Sequence, residues 1–260
     1  MTDLENFPTP GPCAFSGFQC EGKPRGVDEK DEDGYGRYIS MPRGNYDRKA
    51  GIIFFTDAKG IWHNSRVFAD QFADAGYTAY IINSTGIIRA EGEPYVPPAK
   101  IPGFKKPTRN DITTMLHNAD NWLRAKQGCH KIGGVGAGGV PILNELSDKK
   151  TLYFNAAFIA HPTNTTKKLF DDISAPLSVA FGDNDSRIDQ RARHAAENGL
   201  IKSSQPYQIS LYSHVHHGFA ARRAFTTEAE VFAKKQTFIQ AITCKSSGFM
   251  IVLETISQFS

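Results

Sequence analysis

The chain has 260 residues, with 30 Lys and Arg against 27 Asp and Glu, 40% hydrophobic residues and 4 cysteines. At that length one domain buries about 70–75% of its unfolded-chain surface, so a miniprotein held by disulfide or metal staples is excluded, and the apolar share excludes wholesale disorder. A net charge of +3 with scattered Lys and Arg excludes the basic stripe of a nucleic-acid binder.

In chain order, residues 1–10 carry Asp3, Glu5 and two prolines rather than the basic start and apolar stretch of an export signal, so a cytoplasmic location is expected. Residues 50–55, Ala-Gly-Ile-Ile-Phe-Phe, form an apolar run that reads as a strand buried on both faces. Asn64-Ser65 is a helix-start signal. Val67, Phe68, Phe72 and Ala75 follow at helical spacing, and Gly76 stands where a left-handed cap closes the helix. Residues 77–83 return to strand composition. Residues 84–110 hold Pro97, Pro98, Pro102 and Pro107, a long loop of the kind that borders binding pockets. Asp111 opens a second helix whose stripe of Ile112, Met115, Leu116, Ala119 and Leu123 is a core stripe, and Gly128 closes it. Strands are expected at 131–135, 156–160, 177–181 and 208–212, and Thr227-Glu228-Ala229-Glu230 reads as the capping box of the last helix.

Strands alternating with helical segments describe an α/β fold, a mostly parallel sheet with helices on both faces. With no repeat and no low-complexity stretch, residues 1–260 read as a single domain. No run approaches the about 18–20 apolar residues of a spanning helix, so no membrane partner is expected. Cys13, Cys20, Cys129 and Cys244 form no CxxC pair and no metal-ligand spacing, and read as reduced thiols. Neither a metal nor a cofactor is expected.

In open α/β sheets the reactive groups stand on loops at the carboxyl ends of the strands. Gly182-Asp183-Asn184-Asp185 follows one late strand, and Ser213-His214-Val215-His216-His217-Gly218-Phe219 follows the next. Carboxylate before histidine is the order of the acid and base in an α/β-hydrolase triad. A nucleophile should precede both on a glycine-rich strand-to-helix bend. The matching run, Gly133-Gly134-Val135-Gly136-Ala137-Gly138-Gly139, has the backbone for the bend but carries no Ser, Cys or Asp. Plainer readings stand beside these. Asp185 fits a solvated turn former, and His217 fits a packed loop histidine. His214 and His216 lack partners at metal-ligand spacing, and no Lys-Ser follows the glycines as a phosphate loop requires.

The same residues resemble the dienelactone hydrolase family of the α/β-hydrolase superfamily, across almost the whole chain. Gly17-Phe18-Gln19-Cys20-Glu21-Gly22-Lys23-Pro24-Arg25-Gly26 is similar to the G-F-x-H-E-G-x-P-x-G stretch of fungal members, and Thr56-Asp57-Ala58-Lys59-Gly60 is similar to T-D-I-F-G. Ala69-Asp70-Gln71-Phe72-Ala73, Ala160-His161-Pro162, Gly182-Asp183-Asn184-Asp185 and His217-Gly218-Phe219-Ala220 continue the likeness in the family order. The resemblance implies that Asp185 is the triad acid, His217 the base, and the Ala58 N–H half of the oxyanion hole. It also matches Arg222 to an arginine that faces substrate carboxylates, although Arg222 beside Arg223 also fits a surface cation.

The departure falls at G-x-C-x-G-G. Aligned on Gly138-Gly139, the cysteine position is Gly136 and Ala137 supplies the second oxyanion N–H; aligned on residues 131–133, two residues are deleted and the cysteine went with them. Both alignments remove it. The resemblance thus implies a hydrolase of small lactones or esters weakened by the loss of its thiol, or an inactive relative that binds a small ligand or a partner. Monomer and homodimer stay open. Trp62 and His63 fit either the pocket mouth or simple packing. Residues 244–260 form an atypical tail that breaks the amphipathic pattern of the last helix and reads as shifted or non-coding sequence, a cause the short elbow could share. Cys129 precedes the elbow strand and is expected to be inert at the opposite sheet edge.

Overall fold

The computed structural model describes residues 23–44, 50–93, 96–148, 151–220 and 227–243. Eight strands form one sheet: β1 (Val27–Lys30), β2 (Gly36–Ser40), β3 (Ala50–Phe55), β4 (Thr78–Ile82), β5 (Lys131–Ala137), β6 (Ala156–Ala160), β7 (Leu177–Asn184) and β8 (Tyr207–His216), in the order β1-β2-β4-β3-β5-β6-β7-β8. From β4 to β8 all neighbours are parallel, and β1 and β2 add an antiparallel edge. This edge escaped the sequence reading because β1 is Val-Asp-Glu-Lys and wholly exposed, without the apolar alternation that marks a strand.

The helices are α1 (His63–Asp74), α2 (Arg109–Asn121), α3 (Val140–Ser147), α4 (Lys167–Asp171), α5 (Gln190–Ser203) and α6 (Glu228–Ile242). Successive strand residues face opposite ways, so β3 sends Ile52 and Phe54 to one core and Ile53 and Phe55 to the other. The first core is closed by Phe68 and Phe72 of α1 and Phe238 of α6, which meet ring to ring at 4.9–5.9 Å. The second is closed by Leu116 of α2, Ile142 and Leu146 of α3 and Leu200 of α5. The sheet is thus covered on both faces, as the sequence implied.

The boundaries move for local reasons. α1 is capped at Trp62, whose N–H donates to Ser65 Oγ (2.9 Å). α2 opens two residues before Asp111, because the Asp111 N–H donates to Thr108 Oγ1 (3.2 Å) while Asp111 Oδ2 accepts the Thr108 N–H (2.7 Å). The last helix starts as read, with Thr227 Oγ1 accepting the Glu230 N–H at 3.3 Å. β7 and β8 run on to Asn184 and His216, so much of the histidine-rich turn is strand.

The antiparallel edge is locked to α1 by a buried polar network. Tyr38 Oη donates to Asp70 Oδ1 (2.8 Å) and accepts the Gly26 N–H (2.7 Å), while the Arg25 N–H donates to Asp70 Oδ2 (2.8 Å). Burial and the Asp70 carboxylate push the Tyr38 hydroxyl well above its usual range. Removing one partner leaves the others buried without a mate, so Asp70→Ala is expected to lower stability by about 1–3 kcal/mol in urea unfolding with little change in m-value.

Candidate active site

The parallel register delivers the loops after β3, β5, β6, β7 and β8 to one edge of the sheet. Asp185 follows β7 directly and His217 follows β8 directly. Their approach is set by a bulge: Gly182 pairs with Tyr212, but Asn184 pairs with His216, so β8 spends more residues than β7 over the same span. His214, at φ 58°, sits in that bulge. Gly182 is required there, because a Cβ on it would stand 2.3 Å from the Val215 carbonyl oxygen. The Val215 N–H in turn donates to Asp183 Oδ1 (3.3 Å), tying the two loops together.

The result is a bond of 2.9 Å between His217 Nδ1 and Asp185 Oδ2. The Asp185 side chain is fully buried and the His217 ring is 17% exposed. Asp185 Oδ1 accepts the Arg187 N–H (2.8 Å), which fixes the carboxylate plane. With Nδ1 engaged by the acid, Nε2 is the ring atom through which His217 can pass a proton to or from a reactant.

His161 forms the back of this pair. It is fully buried, just past β6, and its ring lies edge-on to His217 at 4.9 Å and to Phe219 at 5.6 Å. Its φ of 37° places a non-glycine residue in a strained region, as is common beside reactive groups. The sequence marked Ala160-His161-Pro162 only as part of a resemblance, and the structure sets His161 against the His217 ring.

The loop after β3 turns on Asp57, whose Oδ1 accepts the Lys59 N–H (2.8 Å) and whose carbonyl accepts the Gly60 N–H (3.0 Å). Ala58 is exposed at the tip, and its N–H meets no acceptor among the described residues. Trp62 carries Lys59 Nζ at 4.2 Å and Arg89 Cζ at 5.3 Å from its ring centroid. His63 is buried at the start of α1 and pairs through Nδ1 with Glu91, which also meets Arg66.

A mainly apolar cavity of about 30 Å³ lies among these loops, lined by Asp57, Trp62, Gly136, Ala137, Phe158 and Ala220 with others, and it has room for one or two water molecules or a small acyl group. Two hydroxyls border it, Ser65 and Thr237. Ser65 Oγ is committed to the α1 cap, to the Trp62 N–H and to the carbonyls of Trp62 and Gly60.

At the elbow, Gly136 and Ala137 are the last residues of β5, opposite Ile159 and Ala160 of β6. A Cβ at Gly136 would stand 2.8 Å from Ile142 Cδ1 and 3.6 Å from Phe55 Cβ, toward the α3 core. Gly138 and Gly139 make the bend, at φ +104° and +79°. Arg222, the tail 244–260 and Cys13, Cys20 and Cys244 lie outside the described residues. Among the described residues no three metal-ligating side chains converge and no helix is long and apolar enough to cross a membrane.

The bonded carboxylate and imidazole stand on consecutive strand-end loops, at the sheet edge that also carries the glycine bend and the Ala58 turn. Residues 36–242 match the dienelactone hydrolase family. The chain belongs to that family. It is 31% identical over 247 residues to hydrolase pyvD of Aspergillus violaceofuscus, covering 90% of this chain and 95% of the relative. It is 26% identical over 236 residues to dienlactone hydrolase 1 of Gibberella moniliformis, covering 87% and 89%. Among solved structures, esterase 2 of Thermogutta terrifontis, phosphorylated by paraoxon, superposes with a TM-score of 0.62 at 16% identity over 88% of this chain and 97% of the other. A dienelactone hydrolase-like promiscuous phosphotriesterase from metagenomic libraries gives 0.63 at 17% over 83% and 93%. These likenesses show the shared α/β-hydrolase fold.

Cys129 stands just before β5, at the sheet edge opposite the dyad, and is buried. Burial pushes its thiol up. It is expected to resist iodoacetamide at neutral pH and to react once denaturant opens the core, as peptide mapping would record.

Proposed function

We propose that this family member hydrolyses small esters or lactones by direct attack of water, with Asp185 and His217 as an acid–base pair and no acyl-enzyme. The observation that carries this reading is the 2.9 Å His217–Asp185 bond standing beside a bend built only of glycine and alanine. His217 Nε2 takes a proton from water as the water oxygen bonds to the carbonyl carbon. The carbonyl π pair moves onto its oxygen, where the Ala58 N–H and an elbow N–H hold the charge. When the C=O bond re-forms, the C–O bond to the leaving alcohol breaks, and His217 returns the proton to that alkoxide. Ester and water become acid and alcohol, with nothing left on the protein.

The substrate class follows from the walls. A mainly apolar cavity favours a small acyl or lactone group, while Lys59 and Arg89, which do not line it but stack on its wall residue Trp62, favour substrates that carry a carboxylate. Arg222 matches the family arginine for such a group.

General acid–base catalysis by one histidine is worth roughly 10²–10⁴ in rate. His217→Ala is therefore expected to lower kcat/KM on aryl acetates and dihydrocoumarin by that factor, and Asp185→Asn to lower it as well. Turnover that does not change in His217→Ala rejects the reading. Intact-mass spectra taken during turnover are expected to show unmodified protein, and an acyl adduct at any residue overturns direct water attack.

The missing thiol favours a second reading, a non-catalytic protein that keeps the pocket to hold a small acid. Saturable binding of a carboxylic acid by calorimetry, without hydrolysis across a broad ester panel, would select it.

A further inference from the structure

The bend between β5 and α3 has room for one reactive side chain, and two glycines compete for the position. At Gly136 the chain is still in the sheet, paired with Phe55 and Ile159. A side chain there points at Ile142 and into the core under α3, away from the strand-end loops. Gly138 is different in each respect. It has left the strand, its φ is +104°, and a Cβ built on it meets nothing within 4 Å among the described residues. Its N–H donates to the Ala160 carbonyl (3.1 Å) and its carbonyl accepts the Thr163 N–H (3.1 Å). Gly138 is thus clamped to the short segment that carries His161, the ring that backs His217 at 4.9 Å.

We infer that Gly138, not Gly136, is the apex of the elbow, the position from which a nucleophilic side chain would act on a carbonyl next to His217. The inference rests on the hydrolase reading above and deepens it. With hydrogen in place of a side chain at the apex, the attacking water stands over the open face of Gly138. The second oxyanion donor is then the N–H of the following residue, Gly139, which meets no acceptor among the described residues, as Ala58 does not. Ala137 remains a strand residue, and the two-residue deletion is the alignment that fits.

The test returns a side chain to each glycine. Gly138→Cys, Gly138→Ser and Gly136→Cys are made in the full chain, with and without His217→Ala, and checked for folding by circular dichroism and thermal melting. The thiols are treated with iodoacetamide and the serine with a fluorophosphonate, and adducts are mapped by peptide mass spectrometry. The expected result is labelling at residue 138 that falls on the order of tenfold when His217 is removed, since a paired imidazole draws the proton from the nucleophile. A cysteine at 136, buried under Ile142, is expected to label slowly whether or not His217 is present. His217-dependent labelling at 136, labelling at 138 that ignores His217, or no labelling at 138 overturns the assignment. Failure of both Gly138 variants to fold overturns it too, because a side chain at φ +104° is strained and the apex of an elbow must carry its nucleophile in just such a strained turn. None of these readouts uses native ester turnover, so an inactive native protein would sink the hydrolase reading and leave the labelling result standing.

Discussion

A parallel sheet brings the carboxyl end of every strand to one edge, and this constraint builds the site. β5, β6, β7 and β8 are in register as neighbours, so the residues just past them, Gly138, His161, Asp185 and His217, come from four distant parts of the chain to the same edge. The backbone ladder provides the coarse placement. The β8 bulge and the small Cβ-free backbone of Gly182 lie where the finer placement is made, next to the 2.9 Å bond between His217 and Asp185.

The pieces of a hydrolytic site separate cleanly in this chain. The candidate acid, base and pocket stand on loops held by their own local bonds and contacts: the Asp57 turn, the Asp185–Arg187 turn and the His161 wall. The bend after β5 is a separate piece again, built of glycine and alanine alone. Such independence is what a loop-on-scaffold design allows, because each loop is anchored to its own strand rather than to the other loops.

The sequence made the fold legible where burial dictated composition. The all-apolar β3, the helical stripe from Ile112 to Leu123 and the Thr227 cap could be read directly, since each is enforced by local chemistry or by core contact. β1 could not, because an exposed edge strand has no apolar face to announce it, and β2 is a five-residue strand with only Tyr38, Ile39 and Ser40 buried. At the site, Asp185 and His217 were visible as strand-end residues in the family order. The apex was not: choosing between Gly136 and Gly138 needs the direction of a side chain that neither residue has, and that direction depends on where β5 stops. His161 also went unassigned, since a single histidine after a strand has no sequence partner to define its role.

The polar seam around Asp70 sets the limits of the folding unit. The match to the family model starts at residue 36, yet Arg25 and Gly26 lie upstream and supply donors to Asp70 and Tyr38. Trimming the chain to the matched span would strand a carboxylate inside the molecule and strip β1 from the sheet, leaving β2 as a raw border open to pairing with neighbouring molecules. A piece that keeps this seam whole therefore reaches back at least to Arg25.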